Sequence, residues 1–526
     1  MKRILQRMAA AGAGWMLTGL AAAQGSLLLN SGFETDASGQ NTNILGWTLY
    51  GTNTYNETGA LAHGGSNYFK VYQAFIGAVN NNGIYQDYIS GPGAAYTASG
   101  WAYTLSSDAI TGGNVAWIEV TFRDANANIL ALYRSALIDT NALLTGAFPK
   151  STWVHLAVTN QYDPATYVVT NTVSTLVAPS GTYFVRCQLM FQGDAANSGG
   201  SVYFDDIALN AAGGAPYGNW NITWSDEFNG TSINTNVWTY DIGNGQNGWG
   251  NSEREYYTSD ARNSYVSNGL LHITALIQSV SNYPFTSARM KTEGLVSWLY
   301  GRFEWRAKLP AGTGFWPALW FLGTNINSIG WPECGEMDVV ENNGAVLTNE
   351  QGSLHSGSDE TATNSFFGGD SVTNFHIYVL DWATNSFMFY VDGHLYETQT
   401  GWYDADGAYP FPFNQPCFMI MNLAVGGDYV GKPADSTIES NGGFPGDMQI
   451  DYVRVYNVTA PLVISAMRTS EGVQLSWPAN VIAHLQIQQT PVGAGVGTNW
   501  SNLTTSSNPL LVSPSNSNAF YRLQSP

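Results

Sequence analysis

Cysteine is nearly missing from this chain: three residues in 526, Cys187, Cys334 and Cys417. That excludes a scaffold held by disulfides and allows at most one bridge, for which Cys334 and Cys417 are the candidates, beside one free thiol. Charge is also scarce. Only 11% of residues are Asp, Glu, Lys or Arg, so helices rich in Glu and Lys cannot dominate the fold. Basic residues are the scarcest: 19 Lys and Arg against 39 Asp and Glu give a formal charge of −20. Such a surface repels phosphate and sulfate polymers at long range, which makes nucleic acids and heavily sulfated glycans poor candidates as partners. No segment offers ~18 uninterrupted apolar residues, so no membrane span is expected. The seven histidines show no His-x-x-x-His or Cys/His ligand spacing, and no Gly-x-Ser-x-Gly lies between a strand and a helix pattern. Zinc hydrolysis and a serine nucleophile therefore find no support, and no cofactor for catalysis is expected.

Aromatic residues and glycine are abundant: 18 Trp, 29 Tyr, 23 Phe and 57 Gly. Together with 44% hydrophobic residues they predict an ordered, all-β protein and not a disordered one. Trp and Tyr suit neutral ligands rich in hydroxyls, because sugar C–H faces stack on the rings while hydroxyls meet polar rims.

The chain reads as several units. Lys2, Arg3 and Arg7 precede an apolar stretch from Met8 to Leu20 and then Ala21-Ala22-Ala23, the pattern of a secretory signal peptide over 1–23. An exported (extracellular, periplasmic or cell-surface) monomer is expected. Residues 26–210 alternate short apolar strands with Gly/Asn/Ser turns, as in a β-sandwich. The side-chain-poor segment 211–219 reads as a linker. A larger sandwich is expected over 220–457, with strands near 301–309, 318–322, 336–341, 387–391 and 418–423, and a small β domain over 461–526. No internal repeat of fixed period stands out.

The chemistry concentrates in Glu336-Met337-Asp338-Val339-Val340-Glu341. In a strand, side chains alternate, so Glu336 and Asp338 share one face while Met337 and Val339 point to the core. Glu341, five positions from Glu336, then faces the wrong way unless a one-residue bulge near Val339 or Val340 turns it back. With the bulge, the outer carboxyl groups can approach the ~5–5.5 Å separation with which paired carboxylates cleave glycosidic bonds with retention. Three acids on one face repel one another, so at least one should keep its proton near neutral pH, as a general acid requires. A calcium site or a solvated acidic face is the plainer alternative. Calcium prefers carboxylates converging from a loop, whereas Met337, Val339 and Val340 mark a buried strand. Trp316, Trp320 and Trp331, close in sequence to the acids, read as walls of a sugar-binding cleft, with Phe315 and Phe321 as core.

The acid stretch resembles the Glu-x-Asp-x-x-Glu signature of glycoside hydrolase family 16 in its bulged, laminarinase-type form. The resemblance extends over 220–457 through Trp224-Ser225-Asp226-Glu227-Phe228, Trp249-Gly250-Asn251-Ser252-Glu253, Gly301-Arg302-Phe303-Glu304, Asn422-Leu423-Ala424-Val425-Gly426-Gly427 and Asp451-Tyr452-Val453-Arg454. It implies a concanavalin A-like jelly roll that hydrolyses a neutral β-glucan, most simply an endo-1,3-β-glucanase. In such an enzyme Glu336 would be the nucleophile, Glu341 the general acid/base and Asp338 the partner holding the nucleophile. It also implies substrate contacts from Asn251, Arg289, Trp316, Trp320, Trp331, His355 and Asn422, and a structural calcium held by Glu227, the Gly269 carbonyl and Asp451. Asn342, Asn343 and Ser356 depart from the usual pattern, which leaves linkage preference less defined than reaction type. Alternatives are a relative acting on mixed-linkage glucan or an agarose-like galactan, a transglycosylase, and a non-catalytic glucan-binding protein.

The N-terminal sandwich, with Asn30-Ser31-Gly32-Phe33-Glu34 and Val202-Tyr203-Phe204-Asp205-Asp206, resembles carbohydrate-binding modules of families 4 and 9. Trp101, Tyr103 and Trp117 are its candidate stacking residues.

Overall fold

The computed structural model describes residues 26–458, apart from 36–38, 41–43, 213–219, 358, 367–369, 403–406, 408 and 441, together with the strands lying between 465 and 524. The expected signal peptide and most of the expected linker lie outside the described residues. The fold is all-β. Helix among the described residues is limited to short segments such as Thr140–Thr145, Ile326–Ile329 and Asp435–Glu439, and none is long and apolar enough to cross a membrane.

The larger sandwich places a seven-stranded sheet over a second, larger one that continues into the N-terminal sandwich. The first runs, in spatial order, Thr239–Asp241, Arg289–Lys291, Cys417–Val425, Phe315–Gly323, Glu336–Glu341, Asn349–Ser356 and Asp359–Phe366. The second is built on Gly446–Val458, Gly301–Lys308, His376–Ala383 and Ser386–Val391, antiparallel neighbours in that order. Alternation explains the packing. Phe315, Leu319 and Phe321 from one sheet meet Phe303, Trp305 and Trp382 from the other in a common core in which all are essentially buried, each large side chain contributing ~1.5–3 kcal/mol of burial. The opposite edge of the same alternation leaves Trp316, Ala318, Trp320 and Leu322 on the outer face of the first sheet, where the cleft lies. Phe315 and Phe321 are core, as expected.

The N-terminal sandwich has its own core of Phe69, Val71, Ile118, Phe122, Leu189 and Phe204, and its last strand is Ser201–Ala211. The next strand begins at Trp220. The two sandwiches nevertheless pack directly. The Ile89 N–H donates to the Gly393 carbonyl at 2.7 Å, Tyr88 pairs with His394, and Ile89 and Phe184 bury against Val379, Met388 and Tyr390. At the seam Arg302, fully buried, grips Asp381 through Nε and Nη2 (2.6 and 2.7 Å) and also donates to the carbonyls of Ser90 and Tyr183. Trp220 lies 4.3 Å from the guanidinium.

The candidate stacking residues of this sandwich are already covered. His63 stacks on Trp101 at 4.0 Å, Tyr103 is buried beside Tyr68 and Tyr203, and Trp117 lies under the Arg134 guanidinium at 4.4 Å. Beyond 458, Ser465–Thr469, Gly472–Ser476 and Leu510–Val512 form one three-stranded sheet and His484–Thr490, Ser501–Asn502 and Asn518–Gln524 another.

Candidate active site

The strand Glu336–Glu341 carries the bulge its pattern requires. Against Phe315–Gly323, Leu319 pairs with Val340 and Trp320 with Asp338, so Val339 is the extra residue. Against Asn349–Ser356, the register jumps from Asp338–Ser353 to Glu341–Gln351. The consequence is visible in burial: Met337, Val339 and Val340 all sit in the inter-sheet core, two of them consecutive, which regular alternation forbids. Two successive valines inside leave Glu336, Asp338 and Glu341 together on the cleft face.

Each carboxylate is held by a separate donor. The Trp331 indole N–H donates to Glu336 Oε2 at 2.7 Å, and the Trp316 indole N–H to Glu341 Oε1 at 3.0 Å. Ser353 Oγ lies 3.0 Å from Asp338 Oδ2 and 3.2 Å from Glu341 Oε2. His355 Nε2 lies 3.0 Å from Asp338 Oδ2. Burial, reinforced by the charge of Asp338, pushes Glu336 well above the usual carboxylate range, against the pull of His355 and the Trp331 N–H. Burial and then Glu336 push Glu341 up to about 7, while Trp316 and Ser353 pull it down. With Glu336 held well above the usual carboxylate range and Glu341 raised to about 7, the trio holds at least one proton near neutrality.

The cleft, about 730 Å³, is lined by all seven residues expected to contact substrate: Asn251, Arg289, Trp316, Trp320, Trp331, His355 and Asn422. Their roles within it differ. Trp331 is 56% exposed and offers an open ring. Trp320 is buried under the Arg289 guanidinium at 4.6 Å, which also lies 4.5 Å from Trp249 and is paired with Asp241. The Trp320 N–H donates to Asn422 Oδ1 at 2.7 Å, Asn422 Nδ2 donates to the Tyr257 hydroxyl, and that hydroxyl donates to Glu253. This chain fixes the amide of Asn422 from behind. Asn251 sits in a tight turn where Asn247, Gly248, Trp249 and Gly250 all have positive φ. A side chain at Gly248 would reach within 2.2 Å of the Glu253 backbone nitrogen, so only glycine closes that turn.

Sequence reasoning missed Trp249, Asp241, Lys291, Glu293 and Tyr429, which also line the cleft. Trp249 stands within a motif already noted and Tyr429 lies two residues beyond another, so both were within reach. Asp241 and Lys291 meet at 2.6 Å from strands some fifty residues apart, which no local pattern reveals. Cys334 and Cys417 are buried and unbridged.

The residues expected to hold calcium do not fit the ion as they stand. Glu227 spends both carboxylate oxygens on Arg454 at 2.9 and 2.8 Å, and Asp451 pairs with Arg306 at 2.6 Å. A calcium ion needs several oxygens free of competing cations, and two of the three expected ligands are already neutralised.

The sequence model of the glycosyl hydrolases family 16 matches residues 251–454. Glucan endo-1,3-beta-glucosidase A1 of Niallia circulans is 35% identical over 278 residues, which are 48% of this chain and 40% of that protein. The beta-glucanase of Rhodothermus marinus is 37% identical over 251 residues, 45% of this chain and 85% of that protein. Among solved structures, the laminarinase catalytic domain of Thermotoga maritima MSB8 is 40% identical, covering 45% of this chain and 98% of that one with a TM-score of 0.42. The chain thus spans less than half the length of the first relative and most of the second.

Proposed function

The chain belongs to the glycosyl hydrolases family 16, and from that premise we propose that it is an endo-β-glucanase cleaving β-1,3-glucan with retention of configuration. The observation that carries this reading is the bulge at Val339, because it sets Glu336 and Glu341 on one cleft face beside Asp338. Glucan names borne by relatives over the same residues support the substrate.

In the first step the Glu341 carboxyl gives its proton to the glycosidic oxygen while a Glu336 oxygen attacks the anomeric carbon. The glycosidic bond breaks, the leaving sugar departs with the proton, and a glycosyl ester of Glu336 remains. Esterification removes the charge of Glu336, one of the influences that raise Glu341, so Glu341 is then well placed to take a proton from water. The resulting hydroxide attacks the anomeric carbon and releases Glu336 as a carboxylate. Asp338, on the same cleft face as Glu336 and steadied by His355 and Ser353, orients the nucleophile. Trp331 supplies the open stacking ring. The signal-peptide pattern of residues 1–23 adds the proposal that the enzyme acts outside the cytoplasm.

The test is the purified protein on laminarin, barley glucan, xyloglucan and agarose, with products sized and the anomer first released followed by NMR. Release from laminarin as the β-anomer is expected, and Glu336→Gln should abolish turnover while glucan affinity persists. Release of the α-anomer, or an active Glu336→Gln variant, overturns the proposal.

A further inference from the structure

Trp316 is expected from sequence to be a wall against which a sugar ring stacks. In the structure its indole is already engaged on two sides. The Tyr429 ring stacks on it at 5.0 Å with an interplanar angle of 17°, and its N–H is committed to Glu341 Oε1 at 3.0 Å. The Tyr429 hydroxyl donates to the Glu341 backbone carbonyl at 3.3 Å, so the tyrosine spans from the indole to the chain of the residue that the indole holds. The loop bearing Tyr429 is itself clamped. Gly427 has φ +98°, and a Cβ there would come within 3.1 Å of the Trp316 ring. Asp428 N–H donates to the Asn251 carbonyl at 2.8 Å, and Lys432 N–H to the Gly427 carbonyl at 2.9 Å.

We propose that Tyr429 is a positioning residue for catalysis, which presses Trp316 into the one orientation that keeps its indole N–H on the Glu341 carboxylate. The inference rests on the reading of Glu341 as the acid/base. An indole without its stacking partner has rotameric freedom to swing its N–H away from the acid, and the pair geometry is the offset-stacked kind that aromatic rings favour. The donated N–H stabilises ionised Glu341, so its loss makes the acid weaker. The other groups facing Glu341 are Glu336 and Asp338 on its own strand, His355 and the buried Glu350 on the adjoining strand, and Tyr429 itself. None of these is removed when Tyr429 is shortened except the tyrosine, whose hydroxyl stays protonated because burial and Glu341 raise it.

The test compares Tyr429→Ala, Tyr429→Phe and Trp316→Phe in the full chain on laminarin. Tyr429→Ala should lower kcat about tenfold, a fraction of what a general acid contributes, leave KM within about twofold, and move the alkaline limb of the kcat profile upward by roughly half a pH unit or more. Tyr429→Phe, which keeps the stack, should retain the wild-type profile, and Trp316→Phe should reproduce the upward shift. A raised KM with unchanged kcat and limb in Tyr429→Ala would make the ring a sugar wall only and overturn the proposal. A second measurement needs no substrate. In protein labelled with 15N at the indoles, the Trp316 N–H signal, assigned by its loss in Trp316→Phe, should follow a titration near pH 7 in the wild type and cease to follow it in Tyr429→Ala. An unaltered titration in Tyr429→Ala also overturns the proposal. Failure of the wild type to cut laminarin would instead defeat the function assigned above, while the indole signal would still decide whether Tyr429 maintains the grip.

Discussion

Glu341→Gln should make the protein more stable at high pH and no more stable at low pH. The carboxyl is raised from 4.5 to about 7, so the folded state favours its neutral form. A raised carboxyl contributes its full stability below the unfolded value and loses it as pH climbs through the folded value. At about 1.4 kcal/mol per pKa unit, ionising this group in the folded protein costs roughly 3 kcal/mol, and its partial contact with water reduces that to roughly 2 kcal/mol. Glutamine avoids this cost and also relieves the repulsion felt by Glu336, which acts in the same direction. By calorimetry, the transition of the larger sandwich should then occur about 4–8 °C higher in the variant than in wild type at pH 8, and at nearly the same temperature at pH 4.5. Turnover of laminarin should fall by about a factor of a hundred or more. A melting difference that does not change between pH 4.5 and 8 would refute the reasoning, because it would mean that the acid is not held in its neutral form by the fold.

Further outcomes follow from other parts of the molecule. Trp331→Ala removes the most open ring in the cleft and should raise KM for laminarin by about tenfold, with a smaller effect on kcat, in steady-state assays. Arg302→Ala leaves Asp381 as an uncompensated buried charge at the seam and should cost about 3–5 kcal/mol, read as a lower melting temperature and faster proteolysis. Because all three thiols are buried and unbridged, Ellman's reagent should find none in the native protein and three after unfolding in denaturant.

The bulge was legible because the sequence contains a contradiction: Glu341 is required beside Glu336 and Asp338, yet strict alternation turns it inward. Only an extra residue resolves this, and Val339 and Val340 are the apolar pair able to occupy the core together. The membership of the cleft was legible for a related reason, since Trp316 and Trp320 are each one residue from core Phe315 and Phe321 and so face the other way. What each tryptophan does there was not. Arg289 covers Trp320 and Tyr429 covers Trp316, and both partners arrive from distant strands or loops. The packing of the two sandwiches was hidden as well. Arg302 and Asp381 sit in strands where a lone charge reads as solvent-facing, and only the paired register of those strands brings them together beneath a neighbouring fold. The partners of two expected calcium ligands were hidden for the same reason, because Arg454 and Arg306 reach Glu227 and Asp451 across the sheet.

The seam around Arg302 alters how the front end of this protein can assist the cleft. A module on a loose leash samples a volume, and its benefit depends on the length of the leash. Here the N-terminal sandwich is bolted to the back of the hydrolase by a shared strand contact, an apolar patch and a guanidinium. Any surface it offers therefore keeps a constant bearing relative to the cleft. The geometry between the two sandwiches is then determined by the mounting and not by the intervening chain.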